Sequence, residues 1–268
     1  MGGAFYKGLA EKFGHEMLAI CDKNDEKMRL LGSKNCYEDP CEMINNVDAV
    51  LIAVKPQAFE ELMEKITCYV KSNSKDNPES PLSNKLIISM MAGVPISKIS
   101  EACGDASGAA RVMRIMPNLG VQVGKGVTGW VGSKNITAED RLFARKILEA
   151  VGSAVEVKDE NMLDRLTSIS GCGPAYFFYL CELLTKKART LGFSDEEARI
   201  MAEGTFAGTA ALVELGERGA EEWRNAVCSK GGSTERAIAS FMDDNLEGLL
   251  GRGVDAAFAR TNELNHGT

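Results

Sequence analysis

Along the first half of the chain, helical periodicity alternates with short apolar runs of strand length. Gly2 to Phe13 puts Ala4, Phe5, Leu9 and Phe13 near one face and stops at Gly14, which predicts a helix. Met17 to Cys21 is an apolar run of strand length, and Asp25 to Leu31 reads as a second helix stopped at Gly32. Val47 to Val54 is nearly all apolar, as in a parallel strand covered on both faces. Pro56 suits the first position of a helix running to about Lys71, and the polar, proline-bearing stretch Ser72 to Asn84 reads as a surface loop. Leu86 to Met90, Ala110 to Met116, Val127 to Val131 and Ala154 to Val157 are further strands, with a helix over Ala138 to Ala150. This alternation predicts an α/β Rossmann-like domain, a doubly wound and mostly parallel sheet, over residues 1–158.

After Lys158 the pattern becomes helical throughout. Asn161–Ile169, Pro174–Leu191, Ser194–Leu215, Ala220–Val227, Thr234–Met242 and Leu246–Leu264 all show helical spacing, which predicts an all-α domain over residues 159–268. Ser194 with Glu197 forms a capping box. Small residues crowd Ala202 to Ala211, allowing helices to approach closely either inside one subunit or across a dimer.

Composition narrows the function classes. A net charge of −7 with no compensating basic stripe argues against a nucleic-acid partner. No apolar run approaches a membrane span, and the N-terminus lacks the shape of a signal peptide, so a cytoplasmic protein is expected. The 8 cysteines are scattered without a CxxC, as expected of buried, reduced thiols. With only His15 and His266, most zinc sites and the usual Ser-His or Cys-His systems are excluded, which points to chemistry supplied by a cofactor.

An open parallel sheet binds ligands at the carboxyl ends of its strands, here Cys21-Asp22-Lys23, Ala53 to Pro56, Met91-Ala92-Gly93 and Met116-Pro117-Asn118. Asp22 suits the ribose 2′-OH of NAD(H), and Lys23 suits the 2′-phosphate of NADP(H); either could equally be a solvated turn residue. Gly2 fits the third glycine of a dinucleotide fingerprint, but the strand and the two glycines ahead of it are missing. The N-terminal domain is therefore expected to lack its first strand, and the chain as it stands to bind NAD(P)H more weakly than an extended one. In the helical half, Ala226 to Arg236 is a glycine-bent loop running into a helix, with Ser233 and Thr234 as capping types and free amides suited to a carboxylate.

Four segments occur together: Ala53-Val-Lys-Pro-Gln57, Arg114-Ile-Met-Pro-Asn118, Ser170-Gly-Cys-Gly-Pro-Ala-Tyr176 and Val227-Cys-Ser-Lys-Gly-Gly-Ser-Thr234. In order and spacing they resemble the pyrroline-5-carboxylate reductase family over essentially the whole chain. The resemblance implies NAD(P)H-dependent reduction of (S)-1-pyrroline-5-carboxylate to L-proline, NADPH being favoured slightly over NADH. It implies a homodimer with interlocked C-terminal helices, a higher oligomer being left open. Gly2, Asp22, Lys23, Ala53, Val54, Lys55, Pro56, Met90, Met91 and Ala92 would then line the cofactor. Val227, Gly231, Gly232, Ser233 and Thr234 would form the substrate loop, with the Thr234 hydroxyl, the catalytic candidate, at the ring nitrogen. Glu160 and Glu217 fall where the family places acidic residues near the substrate. Two departures stand out: Lys230 replaces the usual proline before the double glycine, and Leu119-Gly120 replaces Thr-Pro. The alternatives are a weakly cofactor-binding or non-catalytic oligomeric relative, and a related imine or hydroxyacid reductase.

Overall fold

The computed structural model describes residues 1–73, 82, 84–103 and 110–266. These fall into two compact units, Met1–Cys172 together with the chain from Ala257, and Gly173–Ala256.

In the first unit the helix α1 (Gly2–Phe13) buries Phe5, Tyr6, Leu9 and Ala10, a face close to the one its periodicity predicts. The strand β1 (Ile20–Cys21) follows a 3-10 turn at His15–Met17, so the apolar run from Met17 yields a strand only at its end. Next come α2 (Asp25–Leu30), β2 (Cys36–Tyr37), α3 (Pro40–Asn45), β3 (Ala49–Ile52), α4 (Phe59–Asn73), β4 (Leu86–Ser89), α5 (Ile96–Ala102) and β5 (Arg111–Met116). The unit continues through β6 (Gly126–Gly132), α6 (Ala138–Glu149), β7 (Gly152–Glu156) and α7 (Glu160–Leu166). Most of the polar stretch Ser72–Asn84 lies outside the described residues.

Two sheets result. β1 and β2 pair in parallel, and the larger sheet has the order β3-β4-β5-β6-β7. All its pairings are parallel except β5 with β6, which meet antiparallel with Ile115 opposite Trp130. One side of this sheet packs Val50, Ile52, Ile87 and Val112 against Phe59, Met63 and Ile66 of α4 and Ile99 of α5. The other packs Leu86, Ile88, Met113, Ile115 and Trp130 against Phe5 and Leu9 of α1 and Ala144 and Leu148 of α6. Alternate strand residues thus serve opposite faces, as the pleat requires, and both faces are covered, which explains the nearly unbroken apolar run in β3 and β4.

In the second unit, α8 (Gly173–Thr190) packs on α9 (Asp195–Glu214), with Phe177 and Phe206 ring centroids 5.9 Å apart. The Ser194–Glu197 capping box that starts α9 forms as its sequence predicts. Then follow α10 (Ala220–Val227), α11 (Ser233–Asp243) and α12 (Leu246–His266), whose last part belongs to the first unit. No helix among the described residues is long and apolar enough to cross a membrane.

Cys41 and Cys103 are buried, but Cys36 and Cys68 are exposed, which corrects the expectation of uniformly buried thiols. Burial, reinforced by Asp39, pushes the Cys41 thiol up to about 11, so it remains protonated and unreactive.

Candidate active site

The three parallel strands β3, β4 and β5 are neighbours, so the segments that follow them emerge along one edge. After β3 come Ala53, Val54 and Lys55, then a 3-10 turn opened by Pro56. After β4 come Met90, Met91 and Ala92, tied back by the Met90 amide donating to the Ile52 carbonyl at 3.2 Å and the Met91 amide to Ser89 Oγ at 3.3 Å. Met91 itself is buried in the core and its amide is taken by Ser89, so its side chain does not line this edge. The N-terminus of α1 meets the same edge. A Cβ on Gly2 would stand 2.9 Å from the Cβ of Ala53, so glycine is the residue that lets helix and strand end approach this closely. Of the leading amides of α1 the one on Ala4 donates to the Met1 carbonyl at 2.9 Å, which leaves those of Gly2 and Gly3 at the positive end of the helix, where an anion is favoured.

Asp22 and Lys23 follow β1 in the smaller sheet. Asp22 Oδ1 accepts from the Asn24 amide at 2.9 Å, while Lys23 Nζ reaches both carboxylate oxygens of Glu61 at 2.6 Å. The lysine thus already has an anionic partner on α4, exposed to solvent on both sides. That pairing was not legible in a sequence separation of 38 residues.

β5 also carries a buried arginine. Arg114 is 2% exposed, with Nη1 donating to Glu160 Oε1 at 3.0 Å and Nη2 to Asp164 Oδ1 at 3.1 Å. Glu160 opens α7 and Asp164 lies one turn later, so both carboxylates share a helix face. Removing the arginine costs about 3–5 kcal/mol, because two carboxylates lose their buried cation. Glu160 Oε1 also accepts from the Ile96 amide at 3.1 Å. Its other oxygen makes no hydrogen bond among the described residues.

At the end of β5, Asn118 accepts from the Gly120 and Val127 amides at Oδ1 and donates from Nδ2 to the Ser170 carbonyl at 3.0 Å. Ser170 lies in a single turn of π-helix, Thr167–Gly171, between α7 and α8. The segments Arg114–Asn118 and Ser170–Tyr176 are therefore joined directly.

In the second unit, Gly231 has φ +75°, a left-handed conformation that explains one glycine of the loop. Gly232, not Ser233 or Thr234, is the N-cap of α11, and no side chain caps it; Ser233 is the first helical residue and Thr234 the second. The capping role read into Ser233 and Thr234 is corrected by this one-residue offset. The Gly232 amide bonds the Ser229 carbonyl at 2.9 Å and the Gly231 amide bonds Glu235 Oε2 at 2.7 Å. The amides of Ser233 and Thr234 are left over, at the positive end of an 11-residue helix. Val227 closes α10 and is exposed at the entry to this loop. Glu217 lies before the other end of α10, an eight-residue helix about 12 Å long, so this chain does not bring Glu217 beside Val227.

Known proteins resemble this chain in sequence and fold. Residues 160–264 match the family model described as pyrroline-5-carboxylate reductase dimerisation, and residues 1–93 match one described as NADP oxidoreductase coenzyme F420-dependent. A pyrroline-5-carboxylate reductase of Pseudomonas aeruginosa is 33% identical over 227 residues, covering 85% of this chain and 78% of that protein. The chain belongs to the pyrroline-5-carboxylate reductase family. A solved pyrroline-5-carboxylate reductase from Coxiella burnetii superposes with a TM-score of 0.86 at 28% identity, covering 98% of this chain and 94% of its own. The Plasmodium falciparum pyrroline carboxylate reductase, solved with NADP bound, superposes with a TM-score of 0.78 at 25% identity over 99% and 94% of the two chains. The Rossmann-like domain followed by a helical domain is thus the architecture of the pyrroline-5-carboxylate reductase family.

Proposed function

We propose that this chain reduces the C=N bond of (S)-1-pyrroline-5-carboxylate to L-proline at the expense of NAD(P)H, the closing step of proline synthesis. When bound, NAD(P)H supplies the hydride that adds to the imine carbon, and the ring nitrogen carries the proton that completes the amine. The observation that carries the reading is the bend at Gly231 leading into α11, which leaves the Ser233 and Thr234 amides free at a helix N-terminus. Two such donors suit the substrate carboxylate, and the Thr234 hydroxyl orients the ring nitrogen. Gly231 and Gly232 shape that loop and Val227 stands at its entry, while Glu217, a second carboxylate proposed for the substrate, lies beyond the far end of α10. Glu160 supplies a carboxylate with one unengaged oxygen.

In the first unit, Gly2, Ala53, Val54, Lys55, Pro56, Met90, Met91 and Ala92 hold the cofactor along the carboxyl edge. NADPH is favoured slightly over NADH: Lys23, exchanging Glu61 for a 2′-phosphate, would serve the first, and Asp22, as acceptor for a ribose hydroxyl, the second.

The assembly is a homodimer interlocked through its C-terminal helices. Phe177, Phe178 and Tyr179 of α8 each leave more than half their surface exposed in a single chain, and Leu180 and Leu184 add to the same helix. The protein works in the cytoplasm, where its free thiols remain reduced.

The test is steady-state oxidation of NADPH and of NADH with pyrroline-5-carboxylate, beside Thr234→Ala. The variant should lower kcat/KM about 10²-fold. Unchanged turnover in the variant would remove Thr234 from the site.

A further inference from the structure

The turn between β4 and α5, Met90 to Pro95, has an unusual anchor. Its leading end is fixed by the Met90 and Met91 amides, which bond Ile52 and Ser89. Its trailing end runs into α5, whose N-cap is Pro95, a residue with no side-chain acceptor for the leading amides of the helix. Glu160 supplies that acceptor from 64 residues away, through Oε1 to the Ile96 amide. The same oxygen receives Arg114 Nη1. The carboxylate therefore stays at the start of α5 only while the buried guanidinium of β5 holds it there, with Asp164 taking the second arm.

We infer that Arg114 is a positioning residue for the cofactor, clamping the Met90–Pro95 turn through Glu160. The inference rests on the proposal that Met90 to Ala92 line the cofactor. It gives Glu160 a role at the dinucleotide, distinct from any contact with the substrate. Without the arginine, two carboxylates one helical turn apart repel each other, Glu160 swings out, and the Ile96 amide loses its acceptor. The turn is then anchored at one end only. A backbone that must present itself to a ligand binds more weakly when it has to be ordered first.

The experiment compares Arg114→Met, Arg114→Lys and Glu160→Ala with the parent chain. Glu160 is partly exposed at a helix start, so its variant is informative even if loss of the buried arginine impairs folding. Amide exchange is followed first in cofactor-free protein, then NADPH is titrated by its fluorescence without substrate, and the KM for pyrroline-5-carboxylate is measured separately. Arg114→Met and Glu160→Ala should speed exchange at Ile96 while sparing Ile87 and Ile88, and should raise the Kd for NADPH about tenfold. Arg114→Lys should recover part of both effects. Unchanged exchange at Ile96 would overturn the clamp. Faster exchange with a Kd within about twofold of the parent would overturn the link to the cofactor, and with it the assignment of Met90 to Ala92. A rise confined to the KM for pyrroline-5-carboxylate would place Glu160 at the substrate instead.

Discussion

The Asn118 side-chain amide donates to the Ser170 carbonyl at 3.0 Å and so joins the end of β5 to the π turn ahead of α8. Pro174 makes that carbonyl available. In a regular helix the Ser170 carbonyl would accept from residue 174, and proline has no N–H to give. The chain passes through a π turn, with the Cys172 amide bonding the Thr167 carbonyl at 2.9 Å, and a side chain 52 residues away takes the open acceptor.

Asn118→Ala removes that bond and the two accepted at Oδ1. At about 1 kcal/mol for each bond, with more where a partner is left buried, the loss should be about 2–4 kcal/mol in urea unfolding. A loss below about 1 kcal/mol would mean that Gly120, Val127 and Ser170 find other partners.

Gly2 tests the edge proposed for the cofactor independently of Arg114. A valine there must push α1 away from Ala53, since even a Cβ would stand at 2.9 Å. Gly2→Val should raise the Kd for NADPH about tenfold or more, read by fluorescence titration without substrate. An unchanged Kd would show that the start of α1 does not touch the cofactor.

Glu235 occupies an amide of the loop proposed to hold the substrate, its carboxylate 2.7 Å from the Gly231 nitrogen. It presents to that loop the same group the substrate would. Glu235→Ala should lower the KM for pyrroline-5-carboxylate about threefold with little change in the Kd for NADPH. A higher KM would show that the glutamate shapes the loop and does not compete with the ligand.

Acid should loosen the first unit through Asp140. Burial raises the pKa of this carboxyl, but the Thr137 amide and hydroxyl and the Arg111 guanidinium outweigh it and bring it below the ordinary carboxylate range. A depressed folded-state pKa contributes stability that is present above the unfolded value, about 3.9, and is lost as pH falls through the folded one. Thermal midpoints measured from pH 5 down to about pH 2 should therefore fall less steeply in Asp140→Asn than in the parent chain. Parallel slopes would assign the acid sensitivity to other carboxylates.

Where the fold was legible, the signal was local. The bounds of α1 match Gly2 to Phe13, and the Ser194 capping box starts α9 as read. The helix α3 escaped because six residues show too little periodicity, although Asp39 before Pro40 was an available start signal. The helix α5 escaped for a different reason, since the acceptor at its start is Glu160, far away in sequence. Neither the antiparallel meeting of β5 with β6 nor the burial of Arg114 between two carboxylates is written in periodicity. For the proposed site, the sequence pointed to the glycine-bent loop and the strand ends. It could not show that Glu235 and Ser229 already engage two of the loop amides, or that Glu61 holds Lys23.

Reduction of the imine is read from its product. Incubating the purified chain with racemic pyrroline-5-carboxylate and NADPH should yield L-proline, resolved by chiral chromatography, in step with the NADPH consumed. Consumption without proline would contradict the reduction, and proline of mixed hand would contradict a site in which the Ser233 and Thr234 amides hold the carboxylate of one enantiomer, because the carbon that carries it is not the carbon reduced.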